Sequence, residues 1–352
     1  MRDCYSPLKV AHHQEHTLAL RSGKLLGPIH VQLIPTNKCN QSCHFCAYRM
    51  EGYSSNKTFS DRSEIPLTKL LEIVDSCKAL GVKAIEITGG GEPTFHPNFV
   101  RLCHAIQYAG IQYGVVTNGA SLTDEKLEAL HHATWVRFSI DAGTPGTYAN
   151  TRRSKSNVFY RVHENIRRLV GGRIGPNPLV GVGFVVSKEN YPEILLAAMQ
   201  AQESGADNIR ISAVFQPQGA AYFDGIRKPA TDLCRTAREL RTPEFEVFDL
   251  FSDRVDDLTQ GAPDYSDCYF SQLCTYVGAD LNVYRCCVTA YNPQGLLGSL
   301  QDQTLEQLWT APSNLRNLKD FDARSCTHCM FNAKNRTIAY LINRYPEHVN
   351  FL

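Results

Sequence analysis

The stretch Thr36–Tyr48, which reads TNKCNQSCHFCAY, decides how this chain is interpreted. It carries Cys39, Cys43 and Cys46 in a CxxxCxxC spacing, so three thiols lie on one short loop. Structural zinc sites usually close all four ligand positions, whereas iron–sulfur clusters are held by thiolates at short loop spacings. Because the loop leaves a fourth position without a local ligand, the spacing favours an iron–sulfur cluster with one open iron.

Two short apolar stretches flank this loop and predict strands. His30–Pro35 leads into the loop, and Lys83–Thr88 leads into the turn Gly89–Pro93, which reads GGGEP. Glycine lets the backbone approach a ligand closely and adopt conformations closed to other residues. The plain alternative for this turn is a tight bend after a strand, with no ligand.

Together, these motifs resemble the radical SAM superfamily, whose members bind S-adenosylmethionine (SAM) at the open iron of a 4Fe–4S cluster. The resemblance implies that Cys39, Cys43 and Cys46 hold this cluster, and that electron transfer splits SAM to a 5′-deoxyadenosyl radical. It also implies a set of cofactor contacts: Phe45 at the adenine, Gly90, Gly91 and Glu92 at the methionyl amino group, and Asn118 and Ser139 at the ribose.

An arginine near the middle of the chain completes the cofactor contacts that the resemblance implies. In related enzymes a similar arginine pairs with the SAM carboxylate, a task that suits guanidinium geometry. Arg152 takes this role in the prediction, although the adjacent Arg153 fits equally well by sequence. Six arginines and one lysine stand against one acid, Glu164, between Arg152 and Arg173. This run is read as a solvated helix face, with a landing surface for phosphates as the alternative.

Length and composition indicate a globular, cytoplasmic protein of about two domains. The chain has 352 residues, 43% of them hydrophobic, and a net charge of +1, so no global field favours nucleic acid or a membrane. Its thirteen cysteines are too sparse for a disulfide scaffold, and the cluster loop requires reduced thiols. We expect no signal peptide, because Met1–Gly27 lacks an apolar core, and no stretch approaches the ~20 apolar residues of a membrane span.

Strand and helix patterns alternate through the first two thirds of the chain. The predicted strands are short and apolar: His30–Pro35, Lys83–Thr88, Gln112–Thr117, Trp135–Ile140, Val180–Val186 and Asn208–Val214. Six βα units predict parallel strands with right-handed crossovers, but they are too few for a closed eight-stranded barrel. The predicted fold is therefore α/β, a partial (β/α)6 TIM-like barrel followed by a cysteine-rich auxiliary domain. The predicted segments are an extension at 1–27, the barrel at 28–215, a connector at 216–265 and the auxiliary-cluster domain at 266–352.

A second set of cysteines follows the connector: Cys268, Cys274, Cys286, Cys287, Cys326 and Cys329. Cys274–Cys286 predicts a β-hairpin, with Asn282 as the residue suited to its left-handed turn. This order resembles the SPASM domain or its shorter relative, the twitch domain, which carry auxiliary clusters. The resemblance implies one auxiliary 4Fe–4S cluster on Cys274, Cys286, Cys326 and Cys329.

Alternatives remain open for this second set. Cys268 or Cys287 could replace a hairpin ligand, or one of them could donate a hydrogen atom to a substrate radical. A structural zinc site on the same four cysteines is the alternative to a cluster.

The resemblance predicts an enzyme that abstracts hydrogen from a small-molecule or nucleoside-like substrate, with a nucleic-acid-borne base as a weaker possibility. The alternative is a peptide or protein maturase that oxidises, epimerises or cross-links side chains, and a remote third is a non-catalytic iron–sulfur protein. Only 38 residues precede Cys39, too few for a separate peptide-recognition domain, which counts against peptides. An external electron donor such as flavodoxin or ferredoxin is the expected partner, and no membrane is involved.

Overall fold

Parallel pairing between sequential strands organises the computed structural model, which describes residues 4–50, 57–347 and 350. The ends of the predicted first and last segments lie outside the described residues. The strands are β1 His30–Leu33, β2 Ala84–Ile87, β3 Gln112–Thr117, β4 Trp135–Ser139, β5 Leu179–Val186, β6 Asn208–Ala213, β7 Glu246–Leu250, β8 Cys274–Val277, β9 Asn282–Tyr284 and β10 Leu296–Ser299. They form one sheet in the order β10-β9-β8-β1-β2-β3-β4-β5-β6-β7.

Most of the helices cover the outer face of this sheet, and the first and last pack against each other. They are α1 Gln14–Arg21, α2 Leu67–Ala79, α3 Phe99–Tyr108, α4 Asp124–His131, α5 Pro145–Arg152, α6 Asn157–Gly172, α7 Ile194–Glu203, α8 Arg227–Ala237, α9 Phe251–Gln260, α10 Leu305–Thr310, α11 Pro312–Lys319 and α12 Asn332–Ile342. Alternate strand residues such as Val31, Ile85 and Val136 are fully buried beneath the helices, because strand side chains alternate between the two faces. Among the described residues, no helix is both long and apolar enough to cross a membrane.

The predicted α/β partial barrel is confirmed, and the six predicted strands are β1 to β6. The predicted connector at 216–265 holds a seventh parallel strand, however, since β7 pairs with β6 from Asn208↔Glu246 to Ser212↔Leu250. In β7 only Val247 is buried, so its apolar pattern is too weak to read as a strand. The same segment also holds α8, which begins at Arg227.

The predicted hairpin is present and extends the barrel sheet. Its first strand, β8, pairs in parallel with β1, and its second, β9, pairs antiparallel with β8. The left-handed turn residue is Leu281 (φ 64°) rather than the expected Asn282, whose side-chain amide instead donates to Asp280 Oδ2 at 2.9 Å. The hairpin that carries part of the second cysteine set is thereby attached to β1, the strand that leads into the first cysteine loop.

Candidate active site

The first three cysteines lie on a loop that starts just beyond β1. The backbone N–H of Cys46 donates to Cys43 O at 3.2 Å, and Met50 N–H donates to Cys46 O at 2.9 Å, so the segment is a series of tight turns. Arg49 Nη1 donates to Gln41 O at 2.9 Å and holds the loop closed. Burial raises the pKa of the Cys39 thiol to about 11. Three half-buried thiols on one loop are a donor set that suits an iron–sulfur cluster.

The glycine turn after β2 lies against this loop. Gly91 N–H donates to Thr36 O at 3.2 Å, and Glu92 N–H donates to Lys38 O at 2.9 Å. A Cβ on Gly91 would stand 2.1 Å from Lys38 O, and one on Gly90 would stand 2.3 Å from the Asn37 side chain. Packing therefore explains glycine at both positions, whether or not a ligand binds there, because a side chain would displace the loop that carries Cys39.

Glu92 joins the glycine turn to the end of β3. Its Oε1 accepts from Thr94 and from the Thr117 hydroxyl at 2.6 Å, and its Oε2 accepts from Asn118 N–H at 2.7 Å. Asn118 then donates through Nδ2 to Asn40 Oδ1 at 2.7 Å. Both residues are buried, and their contacts tie the second and third strands to the cysteine loop. The predicted Ser139 ends β4 and is half-buried.

The structure separates Arg152 from Arg153. Arg152 is buried at the end of α5, where Nη2 pairs with Asp141, Nε donates to Ile140 O at 3.3 Å and Nη1 donates to Cys43 Sγ at 3.4 Å. Arg153 is exposed in a left-handed conformation (φ 47°). Although burial opposes the charge on Arg152, the adjacent Asp141 raises its pKa. Arg152 is thus the arginine at the cysteine loop.

Phe45 and Arg152 form one side of the same site. The guanidinium carbon lies 5.8 Å from the centre of the Phe45 ring, a cation–π contact. Asp141 has a left-handed backbone (φ 57°), and its Oδ1 accepts from Val185 N–H at 2.7 Å. The Asp141 side chain therefore positions the arginine and also fixes β5 beside β4.

An open cleft of about 230 Å³ lies beside the cysteine loop. Its lining residues are His44, Thr147, Asn150, Thr151 and Glu189. His44 Nε2 stands 3.5 Å from Glu189 Oε2, and the Tyr222 hydroxyl donates to the same oxygen at 3.3 Å. The cleft is thus lined by residues with polar side chains, although apolar atoms form most of its exposed surface, and it reaches the chain beyond β5.

Four cysteines line one enclosed cavity in the C-terminal region. They are Cys268, Cys286, Cys326 and Cys329, together with aromatic residues such as Phe331. Burial and then the neighbouring thiols raise the pKa of Cys286 to about 11 and that of Cys326 to about 12. Four thiols are the number of donors that a closed cluster needs, although no three of these side chains converge on one metal position among the described residues.

The predicted ligand Cys274 does not line this cavity, whereas Cys268, the alternative ligand that the sequence left open, does. Cys274 begins β8, and its register with His30 of β1 turns its side chain toward that histidine. The Sγ atom lies 3.5 Å from His30 Nδ1. The sequence alone does not separate the two residues, because they lie close along the chain and only the strand pairing of Cys274 distinguishes their directions.

Cys287 also lies outside the cavity. Its thiol contacts the Met330 sulfur at 3.6 Å, and burial raises its pKa well above the usual range. It packs against the aromatic cluster around Tyr276 and Tyr291, in which the Tyr48 and Tyr276 hydroxyls lie 3.1 Å apart. This cluster connects the cysteine loop to the hairpin.

Sequence reasoning missed two arginines in the middle of strands. Arg137 lies within β4 and Arg210 within β6, each between buried apolar neighbours. A charged residue at an alternate position of an otherwise apolar strand was the available signal, because such a residue must face away from the helices.

Comparisons with known proteins agree with this architecture. Residues 33–197 match the model of the radical SAM superfamily, and residues 268–330 match that of the SPASM iron–sulfur cluster-binding domain. The chain is therefore a radical SAM enzyme. It also carries a SPASM domain. Its cofactors are therefore SAM, the 4Fe–4S cluster of the radical SAM domain, and auxiliary iron–sulfur clusters.

Curated relatives share part of this chain. The cofactor-modifying protein of tungsten-containing aldehyde ferredoxin oxidoreductase from Pyrococcus furiosus is 29% identical over 211 residues, 58% of this chain and 57% of that protein. The sporulation killing factor maturation protein SkfB of Bacillus subtilis is 29% identical over 181 residues, 51% of this chain and 41% of SkfB. The chain thus spans about half the length of these relatives.

A solved structure extends the likeness over most of the fold. Streptococcus suis SuiB bound to its precursor peptide SuiA superposes with a TM-score of 0.64 at 15% identity, covering 89% of this chain and 71% of SuiB. At that identity the likeness concerns the fold alone.

Proposed function

We propose that this enzyme modifies a side chain of a peptide or protein by radical chemistry. SkfB is a maturation protein, and SuiB is seen with a precursor peptide. These two similarities favour the peptide alternative over the small-molecule or nucleoside substrate that the sequence first suggested.

The observation that carries this proposal is the open cleft beside the cysteine loop, whose lining residues have polar side chains. Asn150, which is exposed at the cleft, offers an amide that can pair with a peptide backbone, and the Thr147 hydroxyl oxygen can accept while it donates to Glu193 Oε1 at 2.6 Å. Glu189, which is exposed at the cleft, offers a carboxylate to a substrate N–H group or ammonium. A cleft open to the side accommodates an extended chain, of which only the reacting residue must enter the barrel.

In this proposal Cys39, Cys43 and Cys46 hold the cluster that binds SAM. When bound, this pair of cofactors supplies the 5′-deoxyadenosyl radical. Arg152 fixes the cysteine loop through Cys43, and its guanidinium keeps a positive charge beside the site. The other proposed cofactor contacts remain Phe45, Gly90, Gly91, Glu92, Asn118 and Ser139.

We assign the auxiliary centre to Cys268, Cys286, Cys326 and Cys329, which line one cavity. When bound, such a centre supplies an acceptor for the electron left on a substrate radical. Phe270 and Phe331, which stack with their ring centres 4.0 Å apart, form an apolar part of the cavity lining.

The test uses anaerobically reconstituted protein with SAM, a flavodoxin or ferredoxin donor and a library of peptides deuterated at Cα and along their side chains. We expect deuterium in 5′-deoxyadenosine and a peptide product that has lost two hydrogens or changed its stereochemistry. The cleft variant Glu189→Gln should weaken peptide turnover, whereas Glu203→Gln, on the outer helix α7, should not. Deuterium transfer from nucleosides but from no peptide would contradict the proposal.

A further inference from the structure

A ring of polar and charged side chains occupies the interior face of the barrel strands. The residues are His30 and Gln32 on β1, Glu86 on β2, Arg137 on β4 and Arg210 on β6. Each alternates with a buried apolar residue that packs toward the helices. The partial exposure of these side chains is therefore exposure to the inside of the barrel.

Small residues make room for the arginines there. A Cβ on Gly183 of β5 would lie 3.5 Å from Arg137 Cδ, so the Arg137 side chain extends across this glycine. Its guanidinium carbon lies 5.6 Å from the centre of the Trp135 ring. Arg210 lies with its guanidinium carbon 5.7 Å from the centre of the Tyr5 ring. Both arginines are thus held by aromatic faces rather than by acids.

The acids nearby are engaged elsewhere. Glu86 Oε2 accepts from Gln32 Nε2 at 3.3 Å and lies 3.6 Å from His30 Nε2. Among the described residues, no carboxylate forms an ion pair with Arg137 or Arg210, whereas Arg152 pairs with Asp141. The inside of the barrel therefore carries an excess of positive charge.

Arg210 lies in an environment that disfavours its positive charge. Its Nε is buried and has no hydrogen-bond partner among the described residues. Burial and then the like charge of Arg137 lower the pKa of Arg210 to about 10. A buried donor is ordinarily paired, so the Nε–H group of Arg210 can take up an acceptor that a ligand brings.

We infer that Arg137 and Arg210 together bind a carboxylate carried by the substrate inside the barrel. The inference rests on the proposed function, in which this carboxylate is an acidic side chain of the peptide. Guanidinium groups bind carboxylates through paired N–H donors, and they do so most strongly where water is excluded. The two arginines thereby select which residue of the peptide enters the barrel.

Calorimetry on the reconstituted holoenzyme with SAM tests the inference with two matched probes, acetyl-Ala-Glu-Ala-amide and acetyl-Ala-Gln-Ala-amide. We expect the glutamyl peptide to bind about 10- to 100-fold more tightly, the range for one charged hydrogen-bonded contact. Arg210→Gln should abolish the preference, and Arg210→Lys should retain part of it. The exposed Arg101→Gln is the control and should change nothing.

Thermal unfolding separates a ligand site from a structural one. Because Arg210 has no acidic partner, Arg210→Gln should leave the melting temperature unchanged or raise it, whereas Arg152→Gln, which breaks an ion pair, should lower it. A clear loss of stability in Arg210→Gln would mean that the arginine is structural and would overturn the inference.

A third probe, guanosine monophosphate, distinguishes the inference from the proposed function. Arginine-dependent binding of the nucleotide without binding of the glutamyl peptide would preserve an anion site but contradict the peptide carboxylate. Equal binding of the two peptides, or no binding of either at millimolar concentration, would overturn the inference. Either result would leave peptide modification to be judged by deuterium transfer.

Discussion

Cys39, Cys43 and Cys46 come from one short loop, whereas the four thiols around the second cavity come from three separate segments of the chain. The loop is defined by local turns, so its spacing alone indicates its chemistry. The cavity is assembled by tertiary structure, through the hairpin β8–β9 and the turn that carries Cys326. The residues of a site on one loop can be identified from the sequence. For a site assembled from distant segments, the sequence identifies candidate residues but not which of them come together.

The largest effect should follow loss of the loop site. Replacing Cys39, Cys43 and Cys46 together with Ala should abolish 5′-deoxyadenosine formation, because no centre remains to reduce SAM. The protein should still retain about four irons, held at the separate auxiliary cavity. Product analysis and iron content check this, and SAM cleavage by the triple variant would show that the loop is not the reducing site.

Substitution in the glycine turn should be nearly as damaging. The cause should be a clash with the cysteine loop rather than a side chain that fills the cofactor pocket. The Cβ of Gly91→Val would meet Lys38 O, so we expect displacement of the cysteine loop and loss of cluster iron as well as of SAM binding. Gly171→Ala on α6 is the matched control, because its Cβ meets nothing within 4 Å. Normal iron with weakened SAM binding in Gly91→Val would favour a direct cofactor contact instead.

Adjacent arginines offer a sharper comparison at the same loop. Arg152→Gln leaves Asp141 buried without its partner, which costs about 3–5 kcal/mol of unfolding free energy, and it removes the donor to Cys43. We expect lower stability and slower 5′-deoxyadenosine formation. The exposed Arg153→Gln should match the parent in both measurements, and equal behaviour of the two variants would refute the assignment.

The smallest effect is expected at the aromatic cluster between the two sites. Tyr48→Phe leaves the buried Tyr276 hydroxyl without the partner that lies 3.1 Å away, at a cost of about 1–2 kcal/mol. Denaturant unfolding under anaerobic conditions measures this loss, and the exposed Tyr108→Phe serves as control. Loss of iron from Tyr48→Phe would mean that the cluster of rings supports the metal centres directly.

The fold was predictable where strand patterns are strong. The buried residues of β1 to β6 alternate with polar ones or form apolar runs, so their period indicates a half-buried sheet. β7 was missed because it buries only Val247. Its extended conformation comes from pairing with β6, which its own sequence does not predict.

The candidate site was predictable only where its residues are neighbours in sequence. The cysteine loop and the glycine turn were identified from spacing, and the structure places them in contact. Arg137 and Arg210 were missed because they come from two strands, and their shared face emerges only when the sheet curves. The proposed choice of Cys268 over Cys274 rests on the cavity lining and on the strand register of Cys274 with His30, which no local pattern encodes.

The measurement that tests the account most directly compares Cys268→Ala with Cys274→Ala. Reconstituted parent protein should carry about eight irons in two 4Fe–4S clusters. We expect Cys268→Ala to lose auxiliary iron or to change the electron paramagnetic resonance signal of that cluster, while Cys274→Ala keeps both iron and signal. Loss of auxiliary iron in Cys274→Ala, with Cys268→Ala unchanged, would contradict the ligand set that the cavity defines.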